Sequence, residues 1–366
     1  MRVNSYTSNS RRKKFLWLKL IVFIGILVAI LNQIGKYYEE IKNKNVIVSN
    51  FERAMDEFFA MPPNSIDMLF IGSSHAYCTF DPEIVDNSLG TTSFNLGSPL
   101  QHPDTSYHLL KKALETQNPK TVVFEIYWDM LDDEFELKQA DSVLSAIHDN
   151  KFKREFIRDV FPLNEKIKYY FKPIRYQQDV FAYWDENLTD SVEKKLYHKE
   201  LANTNDKPNT DSEQTTTQGV SYHKGRGFIY SDIIIPEVEF NETNQFVGFD
   251  GAKWEFDKKQ KEYVKKIVEL CRENDIEIVF VTAPIANISM EHIKNYHALH
   301  EKIASFAEEM DVPYIDYNIV NMEENLLTNE NFRDDAHLNY SGVQIIMKHF
   351  VKWIKEAASI NEAALL

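Results

Sequence analysis

Residues 15–34 read FLWLKLIVFIGILVAILNQI, twenty residues with a single charge, and this run divides the chain into parts that must fold in different solvents. At 1.5 Å rise per residue, a helix of that length matches a hydrocarbon layer of roughly 30 Å. Lys19, Asn32 and Gln33 lie near its ends, where a lysine can snorkel and an amide can reach the interface. Arg11, Arg12, Lys13 and Lys14 precede it, so the positive-inside rule predicts a cytoplasmic basic tail at 1–14 and places everything after Lys36 across the membrane. A cleaved signal peptide shares the basic-then-apolar order, but Asn32-Gln33-Ile34-Gly35-Lys36-Tyr37-Tyr38 offers no small-x-small cleavage site. The expectation is one uncleaved transmembrane helix at 15–34, then a stalk region at 35–63 whose residues 37–61 read as an amphipathic, charged stalk or a first helix and hand over to the globular part at Pro62-Pro63.

The charge balance limits what the remainder binds. Residues 1–35 hold six basic side chains and no acidic one, leaving 35 basic against 56 acidic residues and a net −21. A surface so acidic repels phosphate backbones, and no Lys/Arg stripe interleaved with aromatics occurs, which argues against nucleic acid as a partner. With 43% apolar and 13% aromatic residues there is ample material for a packed core. Cys78 and Cys271 are too few for a disulfide scaffold, and no CxxC pair exists. His102, His108, His223, His292, His297, His300 and His349 show neither HExxH nor His-x-His spacing, so no metal and no other cofactor is expected.

From residue 66 short apolar runs alternate with helical periodicity, the pattern of parallel strands joined by crossover helices. Strands are predicted at 66–73, 91–96, 121–128, 276–283 and 313–317, and helices at 105–117, 257–273, 289–310 and 341–357. The gap from 130 to 256 is too long for a crossover and reads as an insertion. Within it 141–172 is amphipathic and helical, 203–219 is a polar loop, and Lys224-Gly225-Arg226-Gly227-Phe228 is a glycine-containing turn or a ligand approach. Tyr169-Tyr170-Phe171 and Phe181-Ala182-Tyr183-Trp184 either pack internally or line a sugar-binding cleft. The fold class is α/β, a doubly wound sheet in residues 64–366.

Two segments carry possible chemistry. Gly72 permits a sharp turn after the first strand, which lifts Ser73 and Ser74 into the crevice where such sheets bind ligands. A serine hydroxyl there needs a base to become a nucleophile. Just after the last strand comes Asp334-Asp335-Ala336-His337, whose loop opens on the same sheet edge, so His337 can serve Ser74 while Asp334 fixes its tautomer. On the residues alone, an alternative stays open in which these serines and aspartates only turn the chain and cap helices. His75 adjoins Ser74 as a possible substrate contact.

Gly72-Ser73-Ser74 followed by the late Asp334-x-x-His337 resembles the SGNH (GDSL-like) hydrolase superfamily, in the membrane-anchored branch that includes the teichoic acid D-alanyl transfer protein and alginate-type O-acetylation proteins. The resemblance covers 66–129 and 257–355. It implies a three-layer α/β/α fold with a parallel, flavodoxin-like five-stranded sheet. It also implies a catalytic triad of Ser74, His337 and Asp334, with an oxyanion hole from the N–H groups of Ser74 and Gly97. Where family members carry Gly-x-Asn-Asp, this chain has Glu125-Ile126-Tyr127-Trp128-Asp129, and an ionised Asp129 repels an oxyanion. Trp128 or Tyr127 is then the alternative donor, with Trp128 and Asp129 as possible substrate contacts.

The function these features imply is a membrane-anchored, extracytoplasmic serine esterase or O-acyltransferase. Its substrate would be a cell-surface glycan or polymer, and its possible partner a membrane-bound O-acyltransferase. A catalytically silent domain that binds polymer or scaffolds an export complex is the alternative.

Overall fold

The computed structural model describes residues 6–44, 49–132, 135–175, 214–216, 219–235 and 244–357. The chain forms two compact units, one of Met1–Ile47 with Phe161–Pro208, the other of Val48–Val160 with Asn209–Leu366. In the first, the helix Tyr6–Lys44 contains a segment, Lys13–Glu39, long and apolar enough to cross a membrane. The expected span at 15–34 lies within it.

The second unit is built on a parallel sheet. Its strands are β1 (Met68–Ile71), β2 (Ser93–Asn95), β3 (Thr121–Glu125), β7 (Glu277–Thr282) and β8 (Tyr314–Asp316). Their order is β2-β1-β3-β7-β8, the doubly wound, flavodoxin-like arrangement, so the predicted fold class is the observed one. Every side chain of β1 and β3 is buried, as a sheet covered on both faces requires. Phe70 of β1 stacks on Phe80 at 5.0 Å, and Phe350 of the last helix, Tyr340–Ala357, closes over both. Apolar burial at this scale is the main stabilising term.

One open alternative is decided and two expectations about elements are corrected. The segment expected as stalk ends in a helix, Asn50–Ala60, that buries Phe51, Ala54, Met55 and Phe58 and starts in a Ser49/Glu52 capping box. It belongs to the α/β unit. The single helix expected at 289–310 is two, Asn287–His292 and Tyr296–Glu309, broken at Asn295 with φ 54°. The break has a local cause, because the Lys294 N–H and carbonyl bond to Phe249 and Gly251 as a bridge beside Asp250. The insertion also holds an antiparallel sheet, β4 (Gln214–Thr216), β5 (Gly219–Gly225) and β6 (Phe228–Ser231), of which β4 and Gly219 fall within the polar loop expected at 203–219. The rest of that loop, apart from Gly219, lies outside the described residues, as does the aromatic run at 181–184.

The β5–β6 turn is the predicted glycine turn. Arg226 and Gly227 both have positive φ, 49° and 79°, the geometry that matches strand twist in a two-residue hairpin. The tip seats on β2, where the Asn95 N–H donates to the Arg226 carbonyl at 3.0 Å. A Cβ at Gly227 would lie 1.9 Å from the Asn95 carbonyl oxygen, so only glycine allows that approach. The hairpin thereby covers the exposed edge of the parallel sheet. The helical stretch expected at 141–172 is four helices, Leu137–Ala146 and Asn150–Val160 in the second unit, Leu163–Tyr170 and Lys172–Arg175 in the first.

Candidate active site

β1 ends at Ile71, and Gly72 follows with φ 144°, where a Cβ would lie 2.7 Å from that of Glu125. The turn it permits puts Ser73 at the N-cap of a short helix, Ser74–Thr79, with Ser74 as its first residue and part-exposed. At the other end of the chain, Phe332 and Leu338 form an antiparallel bridge, and the Arg333 N–H donates to the His337 carbonyl at 3.0 Å. This small closed loop points His337 at Ser74. The Ser74 hydroxyl lies 2.8 Å from His337 Nε2, across 263 positions of sequence.

The other ring nitrogen is held by Asp334, whose two carboxylate oxygens lie 2.8 and 3.0 Å from His337 Nδ1. With the Nδ1 proton donated to Asp334, Nε2 is left as acceptor for the serine proton. Asp334 also accepts from the N–H groups of Ala336 and His337 at 2.9 and 2.7 Å, which fixes its rotamer. Burial pushes its carboxyl upward, but His337 and Arg333 outweigh that and hold it well below the usual carboxylate range. Arg333 Nε donates to Asp334 Oδ2 at 3.2 Å. The structure thus brings Ser74, His337 and Asp334 together in nucleophile, base and orienting-carboxylate geometry.

The oxyanion expectation is only half met. Among the described residues the Ser74 N–H makes no hydrogen bond, as the first donor of a helix commonly does not. The Gly97 N–H, by contrast, donates to Asn95 Oδ1 at 2.9 Å and is already engaged. Asn95 Nδ2 donates to the Ala76 and Phe80 carbonyls at 2.9 and 3.2 Å, so this side chain ties β2 to the helix Ser74–Thr79. Gly97 serves the site by its size, since a Cβ there would lie 3.0 Å from the Ser73 carbonyl oxygen.

The proposed substrate contacts also change place. His75 is 3% exposed, its ring packed 4.0 Å from Tyr127 and 4.8 Å from His337. Burial first, and the neighbouring His337 next, lower its pKa well below the ordinary value, and its ring forms a wall behind the His337 imidazole. Trp128 is 1% exposed and stands among Tyr127, Phe246, Phe249 and Tyr296. Neither side chain faces solvent from which substrate arrives. Asp129 is exposed on the turn Trp128–Met130, and its charge helps burial raise the Tyr127 pKa.

Three residues escaped the sequence reading, Asn95 among them. Glu125, the last residue of β3, is buried, and its Oε2 accepts from the Ser73 N–H at 2.9 Å and the Ser73 hydroxyl at 2.8 Å. Burial pushes this carboxyl up to about 7 against those bonds. Ser73 Oγ in turn lies 3.2 Å from His75 Nδ1, so a buried chain from Glu125 through Ser73 to His75 braces the turn that carries Ser74. The signal available in sequence was a carboxylate closing an otherwise apolar strand, which is seldom buried without a task. Arg333 was the third omission. Cys78 and Cys271 are free and buried, and burial pushes both thiols up to about 12. Among the described residues no group of three or more His, Cys, Asp or Glu is placed to hold a metal ion.

Residues 11–353 match the family described as "Protein of unknown function (DUF1574)". The chain belongs to that family. No curated protein matches it. Among solved structures it is similar to a GDSL-like lipase from Bacteroides thetaiotaomicron, at 10% identity and TM-score 0.36 over 84% of this chain and 98% of that one. It is also similar to an acetyl xylan esterase, AlAXEase, at 11% identity and TM-score 0.37 over 79% of this chain and 99% of that one.

Proposed function

We propose that this member of the family is a membrane-anchored serine esterase or O-acyltransferase that works through an acyl-enzyme on Ser74. The observation that carries the reading is the Ser74–His337–Asp334 relay at 2.8 Å on both sides of the imidazole. His337 Nε2 takes the Ser74 proton as Oγ bonds to an acyl carbonyl carbon, and the carbonyl electron pair moves to its oxygen. Collapse breaks the bond to the leaving group, which takes the proton from His337. The imidazole then deprotonates water or an acceptor hydroxyl as its oxygen bonds to the acyl carbon; the bond to Oγ breaks, and His337 returns that proton to Ser74.

The developing oxyanion has the Ser74 N–H as its donor within the site. Losing one of two such donors typically costs on the order of 10²–10³ in turnover, so a slow or partner-dependent reaction fits this arrangement. A tethered enzyme that receives acyl groups from a membrane-bound O-acyltransferase and passes them to a surface polymer suits a reaction where proximity replaces intrinsic speed. The membrane-spanning helix and the resemblance to polymer O-acetylation proteins support that version over free hydrolysis. The engaged Gly97 amide favours a second reading, a silent domain that binds acylated polymer without turning it over.

A chromogenic acetyl ester, offered to the full-length protein with and without a hydroxyl-bearing polysaccharide, separates these readings. The acyltransferase predicts ester cleavage abolished in Ser74→Ala and acetyl recovered on the polymer. Cleavage with acetate as the sole product assigns an esterase. Polymer binding without cleavage contradicts the enzymatic reading.

A further inference from the structure

The helix Leu163–Tyr170 buries none of its residues. Leu163, Ile167 and Tyr170 are 74%, 58% and 63% exposed, and their spacing of four and three places them on one face. A bare apolar stripe on a helix marks a contact surface. Where this one lies indicates what covers it.

The next turn, Lys172–Arg175, packs directly on the N-terminal helix. A Cβ at Gly35 would lie 2.6 Å from Lys172 Cβ and 3.0 Å from Pro173 Cδ, and the Lys172 ammonium pairs with the Glu39 carboxylate. Gly35 and Glu39 stand at the C-terminal end of the Lys13–Glu39 span, where a helix crossing a bilayer leaves the hydrocarbon. Tyr37 and Tyr38 are at the same level, and tyrosines gather at membrane–water boundaries. The chain around the stripe is basic in an acidic protein: Lys166, Lys168, Lys172 and Arg175 against Glu165 alone within residues 161–175.

We infer that Leu163–Tyr170 is an interfacial helix, lying on the leaflet at which the span ends. Leu163, Ile167 and Tyr170 enter the headgroup–acyl boundary, and the net positive charge of residues 161–175 attracts anionic headgroups. The occupant of the stripe is lipid. This rests on the single-pass reading of the N-terminal helix, and goes beyond it by adding a second, sequence-distant membrane contact.

The test uses the full-length chain in vesicles of phosphatidylcholine with and without phosphatidylglycerol. An environment-sensitive fluorophore is attached in turn at Ile167→Cys, Ile24→Cys and Glu308→Cys, with Cys78 and Cys271 buried and shielded from the reagent. Quenching is read with lipids bearing a nitroxide near the top of the acyl chain and with aqueous iodide. The inference predicts that Ile167 is quenched by lipid severalfold more than Glu308, is protected from iodide, and is quenched more when phosphatidylglycerol is present. Iodide quenching of Ile167 equal to that of Glu308 overturns it, as does protection from both quenchers, which would mean that protein covers the stripe. Ile24 separates the two readings: lipid quenching there with none at Ile167 defeats this inference alone, and none at Ile24 defeats the single-pass reading.

Discussion

The Asp334 carboxylate accepts from four groups of its own loop, the N–H groups of Ala336 and His337, the His337 ring and the Arg333 guanidinium. Asp334→Asn keeps the shape and alters the tautomer, since an amide can donate to Nδ1 and drive the proton to Nε2. Turnover is predicted to fall on the order of 10⁴-fold with an unchanged circular dichroism spectrum, and a loss under about tenfold would contradict the relay. Glu125 makes a prediction about pH. Its folded pKa is raised from 4.5 to about 7, so its contribution to stability is fully present below about 4.5 and is lost as pH rises through about 7. Asp334 is depressed and acts oppositely, its contribution being lost as pH falls below the ordinary carboxylate range. Glu125→Gln is therefore expected to flatten the decline of Tm between about pH 5 and about pH 8, while an unchanged slope would show that this carboxyl does not govern it. Ser74, Asp334 and His337 were legible because glycine after a strand and a carboxylate three residues before a histidine are local patterns. Glu125 and Asn95 were not, since their partners lie 52 and 19 positions away and only the fold brings them near.

The five parallel strands were legible as elements because a strand buried on both faces is an uninterrupted apolar run, and predicted ends overran by up to three residues where buried apolar residues such as Ile126, Tyr127 and Trp128 continue past the last paired residue. The β5–β6 hairpin was legible only at its turn. Its strands owe their conformation to pairing with each other and to the edge of β2, neither of which leaves a local mark. Gly227 carries that contact, so Gly227→Ala is expected to destabilise by about 2 kcal/mol or more, because φ is 79° and the new methyl would strike the Asn95 carbonyl. Gly90→Ala is the matched control. Its φ is 70° but nothing lies within 4 Å, so only the left-handed conformation is penalised, by about 1 kcal/mol. Urea unfolding of the two variants checks the difference, and equal losses would mean that the hairpin does not press on β2. The broken helix at Asn295 was illegible for a related reason, because a helical periodicity does not reveal that a distant strand-like segment claims the Lys294 backbone.

At the scale of the whole chain, the sequence separates a helix long and apolar enough to cross a membrane from an acidic α/β unit, and Ser74, His337 and Asp334 all belong to the second. The anchoring reading predicts that the full-length protein stays with membranes in alkaline carbonate, whereas a chain lacking residues 1–35 is released; release of both would remove the anchor. Reaction with a fluorophosphonate bears most directly on the central claim that the α/β unit presents an activated serine. The account predicts one covalent adduct, mapped by mass spectrometry to Ser74, absent in Ser74→Ala and strongly slowed in His337→Ala. A folded wild-type protein that takes up no label, or a label that persists unchanged in Ser74→Ala, would contradict it.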